Sequence, residues 1–472
     1  MGASGRSADL RGDTIAAVAT APGRSALAVV RLSGAGARTI SARVGVSAAL
    51  SERTPHRVTL HACDAHDEPL DDALVTLFAG PRSATGEDVV EFSVHGGAFV
   101  PPAVLAALVQ AGARPALAGE FMERAVRNGK LDLLQAEAIG DLIDARSRAM
   151  HRTALRQLSG ALSHRLTALR SALIGVEALI AYDIDFPGED DGPQPRARAL
   201  EASERVIAEL EALMATLPAA ELGRDGVTVV LAGAPNAGKS SLFNALAGER
   251  RAIVSAVPGT TRDAVEVLVD HDPWPLRLVD TAGLRASADS VERLGVEVSE
   301  QRLAGAHLVL VCGDSEDAVR AADAVVAPLT VAMRIGVRTK CDLDARSVDA
   351  TRDATRSSVM TLAAAPAPVR VSAVTGAGLA DLRGAIADAV RRMQPDPAEE
   401  MPMVTRARHV TALRAARDEV LLFREAWERD ELPAPVAATH LRAAAHAMDE
   451  LLGGIDVDEV LERVFRTFCV GK

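Results

Sequence analysis

Short apolar runs and long helical stripes follow one another along the chain in distinct blocks. Between residue 13 and about residue 130, Leu27–Leu32 and Val89–Val94 have the length and β-branched content of strands. Gly and Pro punctuate them, and residues 101–111 carry one helical pattern, so the block predicts an α+β domain. From about Leu131 to Leu217 the pattern becomes two long helical stripes, broken by an acidic turn at Asp183–Pro193. Strands are then predicted at Val227–Ala232, Ala264–Asp270, Leu276–Asp280, His307–Cys312, Val331–Val337 and Val369–Ser372, separated by helical stretches. That alternation predicts a parallel sheet covered by helices, a doubly wound α/β domain. After the break at Pro395–Pro402 the chain reads as helical to its end. Helical segments on both sides of a compact α/β unit predict that the unit is inserted into one helical domain. The expected boundaries are 1–130, 131–222, 223–394 and 395–472.

Composition narrows the function. At roughly 150 residues per domain, 472 residues fit about three domains. With 52 Lys plus Arg against 64 Asp plus Glu the net charge is −12, the wrong sign for coating nucleic acid, so any RNA contact is expected to be local. An aromatic content of 3% also argues against a base-stacking surface. Cys63, Cys312, Cys341 and Cys469 lack metal-ligand spacing, which disfavours zinc and a disulfide framework and fits a reducing compartment. No apolar signal segment or run of about 18 apolar residues is present, so a cytoplasmic protein without a membrane span is expected. Gly471 and Lys472 do not fit a prenylation box.

The strongest chemistry lies in GAPNAGKS, Gly233–Ser240, between an apolar strand and the helix pattern KSSLFNALAG. In such a loop successive N–H groups, including those of Asn236, Ala237 and Gly238, turn onto phosphate oxygens. Lys239 reaches the terminal phosphates, Ser240 is placed for Mg²⁺, and Ser241 follows at the helix start. Asp280-Thr281-Ala282-Gly283 ends another strand 41 positions after Lys239, its carboxylate suited to hold magnesium through water and its Gly N–H to sense a γ-phosphate. The guanine-reading motif is usually Asn-Lys-x-Asp, and here it reads Thr339-Lys340-Cys341-Asp342. Asp342 can accept from guanine N1 and N2, so guanine remains favoured, while Thr339 is expected to cost about one neutral hydrogen bond, roughly 0.5–1.5 kcal/mol. Ser372, Ala373 and Val374 match the loop that supports the base.

Leu284 follows the Asp-x-x-Gly motif where Ras-like GTPases carry a water-orienting Gln, so something else must position water. Asn236 and the loop Ser255-Ala256-Val257-Pro258-Gly259-Thr260-Thr261 are the candidates. Thr261 is the natural second hydroxyl for Mg²⁺. The Asn236 carbonyl, the main-chain carbonyls of Ser255 and Val257 and the Thr260 hydroxyl can together cage a potassium ion in place of an arginine finger. Alternatively, Asn236 is only a loop spacer.

These residues, together with VVRLSG (Val29–Gly34), TGEDVVEF, the stretch GEFMERAVRNGKLDLLQAEAIGDLIDA, PGTTRD and the terminal FCVGK, make the chain similar over nearly its whole length to the tRNA-modification GTPases called MnmE or TrmE. The resemblance implies an α/β and α+β multidomain protein: an N-terminal α+β folate-binding domain that dimerises, a helical domain split in sequence, and an inserted Ras-like P-loop GTPase domain. It implies a potassium-activated, magnesium-dependent GTPase that works as a homodimer with the flavoprotein MnmG (GidA), on which FAD is expected. Together they would add an aminomethyl-type or carboxymethylaminomethyl group at C5 of the wobble uridine of certain tRNAs, with a one-carbon unit from 5,10-methylenetetrahydrofolate. Carried over, Asn236, Ser255, Val257 and Thr260 look like potassium ligands and Ser240 and Thr261 magnesium ligands. Glu292, nine residues past Gly283, looks like the carboxylate that orients the attacking water through a second water, although a solvated helix-face Glu is the plain alternative. Arg31, Glu91, Lys130 and Lys472 match folate-binding positions, where cations suit the glutamate tail and a carboxylate the pterin donor edge, or else they are surface ion pairs. Cys469 is either a nucleophile or a positioning residue.

Arg146, Arg148, Arg152, Arg156, Arg165 and Arg170 form the best local candidate for RNA phosphate contact, or a solvated face. Rival readings are a GTP-regulated RNA or ribosome assembly factor without base chemistry, against which VVRLSG and FCVGK count, and a scaffold with a degenerate GTPase, suggested by Thr339.

Overall fold

The computed structural model describes residues 12–47, 50–63, 68–145, 147–185, 196–248, 266–271, 274–279, 302–344, 367–393, 403–429, 433–453 and 471. They divide into two compact units: residues 1–140, 157–210 and 411–472 in one, and 141–156 with 211–410 in the other.

The first unit opens with a six-stranded sheet made of β1 (Ile15–Val18), β2 (Leu27–Ser33), β3 (His56–His61), β4 (Pro69–Phe78), β5 (Val89–His95) and β6 (Arg114–Pro115), in the order β3-β4-β5-β2-β1-β6. Every pairing is antiparallel except β1 with β6. Alternation does the sorting: Val30, Leu32, Leu60, Val75, Phe92 and Val94 face inward onto α1 (Ala37–Arg43) and α2 (Val100–Gln110). β2 and β5 are the strands expected from the sequence, whereas β1, β3, β4 and the two-residue β6 are not. β1 is half alanine, and β3 and β4 mix His, Arg, Thr and Asp into their outward positions, so neither offers a continuous apolar run.

α3 (Glu120–Arg127), α4 (Leu133–Asp144) and α5 (Arg148–Leu158) follow the sheet in sequence. α6 (Ala161–Asp185) runs two residues beyond Asp183, so the acidic break begins later than the composition suggested. The helix Ala434–Leu452 packs along α6, with Arg170 paired to Asp449 at 2.5 Å and Arg442 to Glu177 at 2.6 Å.

The second unit holds the other six-stranded sheet: β7 (Val227–Gly233), β8 (Glu266–Val269), β9 (Leu276–Val279), β10 (Leu308–Gly313), β11 (Met333–Arg338) and β12 (Val369–Arg370), ordered β12-β11-β10-β7-β9-β8. It is parallel except for β8, which runs antiparallel to β9. The connection from β8 to β9 is too short for a crossover, which needs a dozen residues or more, so the edge strand turns back as a hairpin. Val229, Leu231, Leu278, Leu310 and Val337 make one core face with α7 (Lys239–Gly248) and the helix Leu379–Met393. Val230, Val309 and Val311 make the other with Val319 and Val326 of the helix Glu316–Val326. Strands buried on both faces are what the continuous apolar runs required.

Candidate functional site

Both predicted nucleotide loops lie beyond the carboxyl ends of parallel strands, where open α/β sheets place their ligands. β7 ends at Gly233 with φ 147°, and a Cβ there would stand 2.2 Å from the Cys312 carbonyl oxygen, so only glycine lets the loop leave the sheet. Asn236 is exposed and holds φ 63°, a left-handed conformation that Asn tolerates better than most residues. Ala237 is buried beneath the loop, and Ser240 and Ser241 are exposed in the first turn of α7. Lys239 Nζ donates to the carbonyls of Gly233 and Ala234, both at 2.8 Å. A lysine held by loop carbonyls at a helix N-terminus suits a polyphosphate. Cys312 lies under the loop, where burial pushes its thiol up to about 12 despite Lys239 nearby, which makes it packing rather than a nucleophile.

The base loop is tied to the phosphate loop through Thr339. The residue is 4% exposed, and Oγ1 has one proton to donate, with the Ala237 carbonyl at 2.7 Å and Gly313 O at 3.1 Å as its acceptors. Lys340 follows at φ 57°, and the Cys341 N–H donates to Val371 O, leaving Asp342 half-buried at the start of a short 3₁₀ turn. Ser372 is fully buried and its Oγ accepts from the Thr375 N–H, which shapes the turn carrying Ala373 and the exposed Val374. Asn236, Ala237, Gly238, Lys239, Ser240, Ser241, Thr339, Lys340, Asp342, Ser372, Ala373 and Val374 are thus carried on two loops and one turn of the same unit. Ser255, Ala256, Val257, Pro258, Gly259, Thr260, Thr261, Asp280, Thr281, Ala282, Gly283 and Glu292 lie outside the described residues, as do Arg146, Cys469 and Lys472.

In the first unit, antiparallel register sets Arg31 directly opposite Glu91, and the two form an ion pair, Nη2 to Oε1 at 2.7 Å and Nε to Oε1 at 3.0 Å. The Arg31 guanidinium also stands over the ring of the buried Phe121, 5.7 Å from its centroid, a contact the sequence did not suggest. Lys130 is exposed, and its stem would meet a Cβ on Gly86 at 3.2 Å. Gly471 is buried beside β1, with Val18 O 2.4 Å from where its Cβ would stand. Val18 pairs with Val30, the residue before Arg31, so this glycine of the terminal motif sits one register step from the Arg31–Glu91 pair.

A second charged group closes the same domain. Arg124 donates to Asp13, Glu87 and Glu120, and Arg114 to Asp13 and Glu120. Burial pushes the Asp13 and Glu120 carboxyls up, but the guanidinium hydrogen bonds outweigh it and hold both below the usual range. Arg148, Arg165 and Arg170, three of the basic row, stand beside Asp270, Glu209 and Asp449, so much of that row is balanced by carboxylates.

Among the described residues no helix is long and apolar enough to cross a membrane, and no three His, Cys, Asp or Glu side chains gather as a metal site. The family model described as "MnmE helical domain" matches residues 133–469, and "GTP-binding protein TrmE N-terminus" matches residues 14–130. The tRNA modification GTPase MnmE of Acidiphilium cryptum is 43% identical over 466 residues, covering 98% of this chain and 99% of that protein. The Thermus thermophilus protein of the same name is 41% identical over 462 residues, covering 98% and 99%. Among solved structures, the G domain of the T. maritima FeoB iron transporter is 26% identical with a TM-score of 0.25, covering 35% of this chain and 98% of its own. Aquifex aeolicus Era bound to GDP and AlF4⁻ is 23% identical with a TM-score of 0.24, covering 41% and 67%. With both family models in order along the chain and relatives matched from end to end, the chain belongs to the family of the tRNA modification GTPase MnmE.

Proposed function

We propose that this protein is a magnesium-dependent GTP hydrolase that acts in tRNA wobble-uridine modification. The observation that carries the reading is the pair of loops joined by Thr339: a lysine-bearing phosphate loop and an aspartate-bearing base loop tied by one 2.7 Å hydrogen bond. The backbone N–H groups from Asn236 to Ser240 and the Lys239 ammonium bind the phosphates, and Asp342 accepts from guanine N1 and N2. Ser240 and Thr261 hold Mg²⁺, which when bound neutralises charge on the phosphate oxygens. Asn236, Ser255, Val257 and Thr260 hold K⁺, and the exposed, left-handed Asn236 supports that assignment because its amide is free of the buried part of the loop. Leu284 can neither donate nor accept, so orienting the attacking water falls to Glu292.

Arg31, Glu91, Lys130 and Lys472 hold a tetrahydrofolate derivative. The Arg31–Glu91 pair supports this reading, since it sets a cation and a carboxylate one register step from Val18, against which Gly471 is buried. Cys469 acts as a positioning residue or as a nucleophile. The protein acts as a homodimer with the flavoprotein partner, and domains bounded at 130, 222 and 394 move as GTP is hydrolysed.

The test is GTP turnover in potassium chloride and in sodium chloride at equal ionic strength, for the wild type and Asn236→Ala. Stimulation by potassium that Asn236→Ala abolishes is the expected result. Equal slow rates in both salts would make Asn236 a spacer and move the assembly-factor reading forward.

A further inference from the structure

We propose that Thr339 leaves the nucleotide site blind to purine N7, so that guanine is selected by its N1/N2 edge alone. The inference rests on the guanine reading above. A threonine hydroxyl has a single proton to donate. Here that proton is committed inside the protein: Oγ1 stands 2.7 Å from Ala237 O and 3.1 Å from Gly313 O, and both carbonyls can only accept. The residue is 4% exposed, so water does not compete for the proton. What Oγ1 has left is lone pairs, and N7 of a purine is itself an acceptor. Two acceptors facing each other form no bond.

The usual asparagine differs in inventory rather than in strength. Its amide carries two N–H donors and a carbonyl, enough to hold a loop carbonyl and a base nitrogen together. Thr339 has kept the first of these tasks and lost the second. Room does not restore it, because the side chain is wedged against the phosphate loop: a Cβ on Gly238 would lie 3.3 Å from both Thr339 Cβ and Oγ1. Thr339 is therefore a positioning residue that locks the base loop to the phosphate loop, and recognition is left to Asp342. The ligand class that follows is wider than GTP. Guanine nucleotides altered at N7 should be accepted, and those altered at N1 or N2 refused.

Calorimetric titration of the full-length protein with GTP, 7-deaza-GTP and ITP in magnesium buffer tests this. For the wild type, 7-deaza-GTP should bind within twofold of GTP, while ITP, which lacks the N2 donor, should bind at least several-fold more weakly. Thr339→Asn should create a preference for GTP over 7-deaza-GTP of about two- to tenfold, the worth of one neutral hydrogen bond. Thr339→Val, which removes the tie, should weaken GTP and 7-deaza-GTP by the same factor, as a positioning role requires. A wild-type preference for GTP over 7-deaza-GTP greater than twofold would overturn the proposal, and that comparison needs no variant to fold. If GTP itself fails to bind, the guanine reading falls and this inference with it; if GTP binds and 7-deaza-GTP does not, only the inference falls.

Discussion

In the N-terminal domain Arg124 donates to three carboxylates, those of Asp13, Glu87 and Glu120, whereas in the nucleotide domain Lys239 donates to two neutral carbonyls, those of Gly233 and Ala234. Arg124 and Glu120 are almost fully enclosed, 6% and 2% exposed, and Lys239 is half-buried. The difference teaches what each cation is for. A guanidinium surrounded by ionised acceptors is held by charge-assisted bonds that a ligand would have to break. An ammonium resting on carbonyls exchanges those bonds for phosphate oxygens at a gain, since charge-assisted bonds are roughly twice as strong as neutral ones. One cation is bound into the fold, and the other rests on neutral partners that a phosphate can displace.

The sharpest way to break the comparison is to remove the lysine. Lys239→Ala should lower GTP turnover by about 10²-fold or more, the loss of two hydrogen bonds to charged oxygens at about 1.5–3 kcal/mol each. Thermal stability without nucleotide should change little, because the carbonyls it leaves lie beside solvent. Turnover within tenfold of wild type would show that Lys239 does not hold the phosphates.

Removing the structural partner should do the reverse. Glu120→Ala leaves the buried Arg124 under-compensated and takes one carboxylate from the half-exposed Arg114, and breaking a buried pair such as Arg124–Glu120 costs about 3–5 kcal/mol. Denaturant unfolding should show that loss, while GTP turnover of the folded fraction stays at the wild-type rate. A cost under about 1 kcal/mol would mean that the network behaves as an ordinary surface cluster.

Acid sharpens the same contrast without a mutation. The carboxyls of Asp13 and Glu120 sit below their unfolded values, so the unfolded chain binds protons first as the pH falls. Their stabilisation is fully present above the unfolded carboxylate range near pH 4 and is lost as the pH drops through the lower folded values. Melting temperature should therefore fall steeply between about pH 5 and pH 3, and the Glu120→Ala variant should show a shallower slope. Equal slopes for the two proteins would remove the network from the cause.

The nucleotide loops were legible in the sequence because each depends on a few residues close together: glycines where a Cβ would collide, and a lysine at a helix start. The doubly wound order was legible for the same local reason, with β8 the exception because strand direction depends on loop length rather than on apolar runs. The Arg124 network was not legible, since Arg124 and Asp13 are 111 positions apart and no spacing joins Asp13 to the stretch GEFMERAVRNGK that carries Arg124. Arg31 and Glu91 were each visible as candidates, yet their direct pairing follows only from the register of β2 against β5. Thr339 was visible as a departure and was read as a lost contact. Its hydroxyl proves to be the tie between the loops, something spacing cannot reveal because Ala237 is 102 positions away.

A stability change much smaller than that of Glu120→Ala should come from Arg31→Ala, which places the comparison inside one domain. Arg31 and Glu91 are 21% and 28% exposed, so unlike Arg124 the pair is in reach of water, and losing it should cost no more than about 1 kcal/mol. The ring of Phe121 stays buried without the guanidinium over it, which limits the damage further. If the pair exists for a ligand, its loss should appear instead in binding: affinity for tetrahydrofolate, measured by calorimetry under reducing conditions, should fall about tenfold or more, the worth of a hydrogen bond to a charged group. Glu91→Gln keeps the shape and removes the charge, and it should weaken the same binding while leaving stability within the same limit. Should both variants bind tetrahydrofolate as the wild type does, Arg31 and Glu91 are a cross-strand ion pair of the kind that holds any antiparallel sheet in register, and the cations that take folate must be sought elsewhere in the domain.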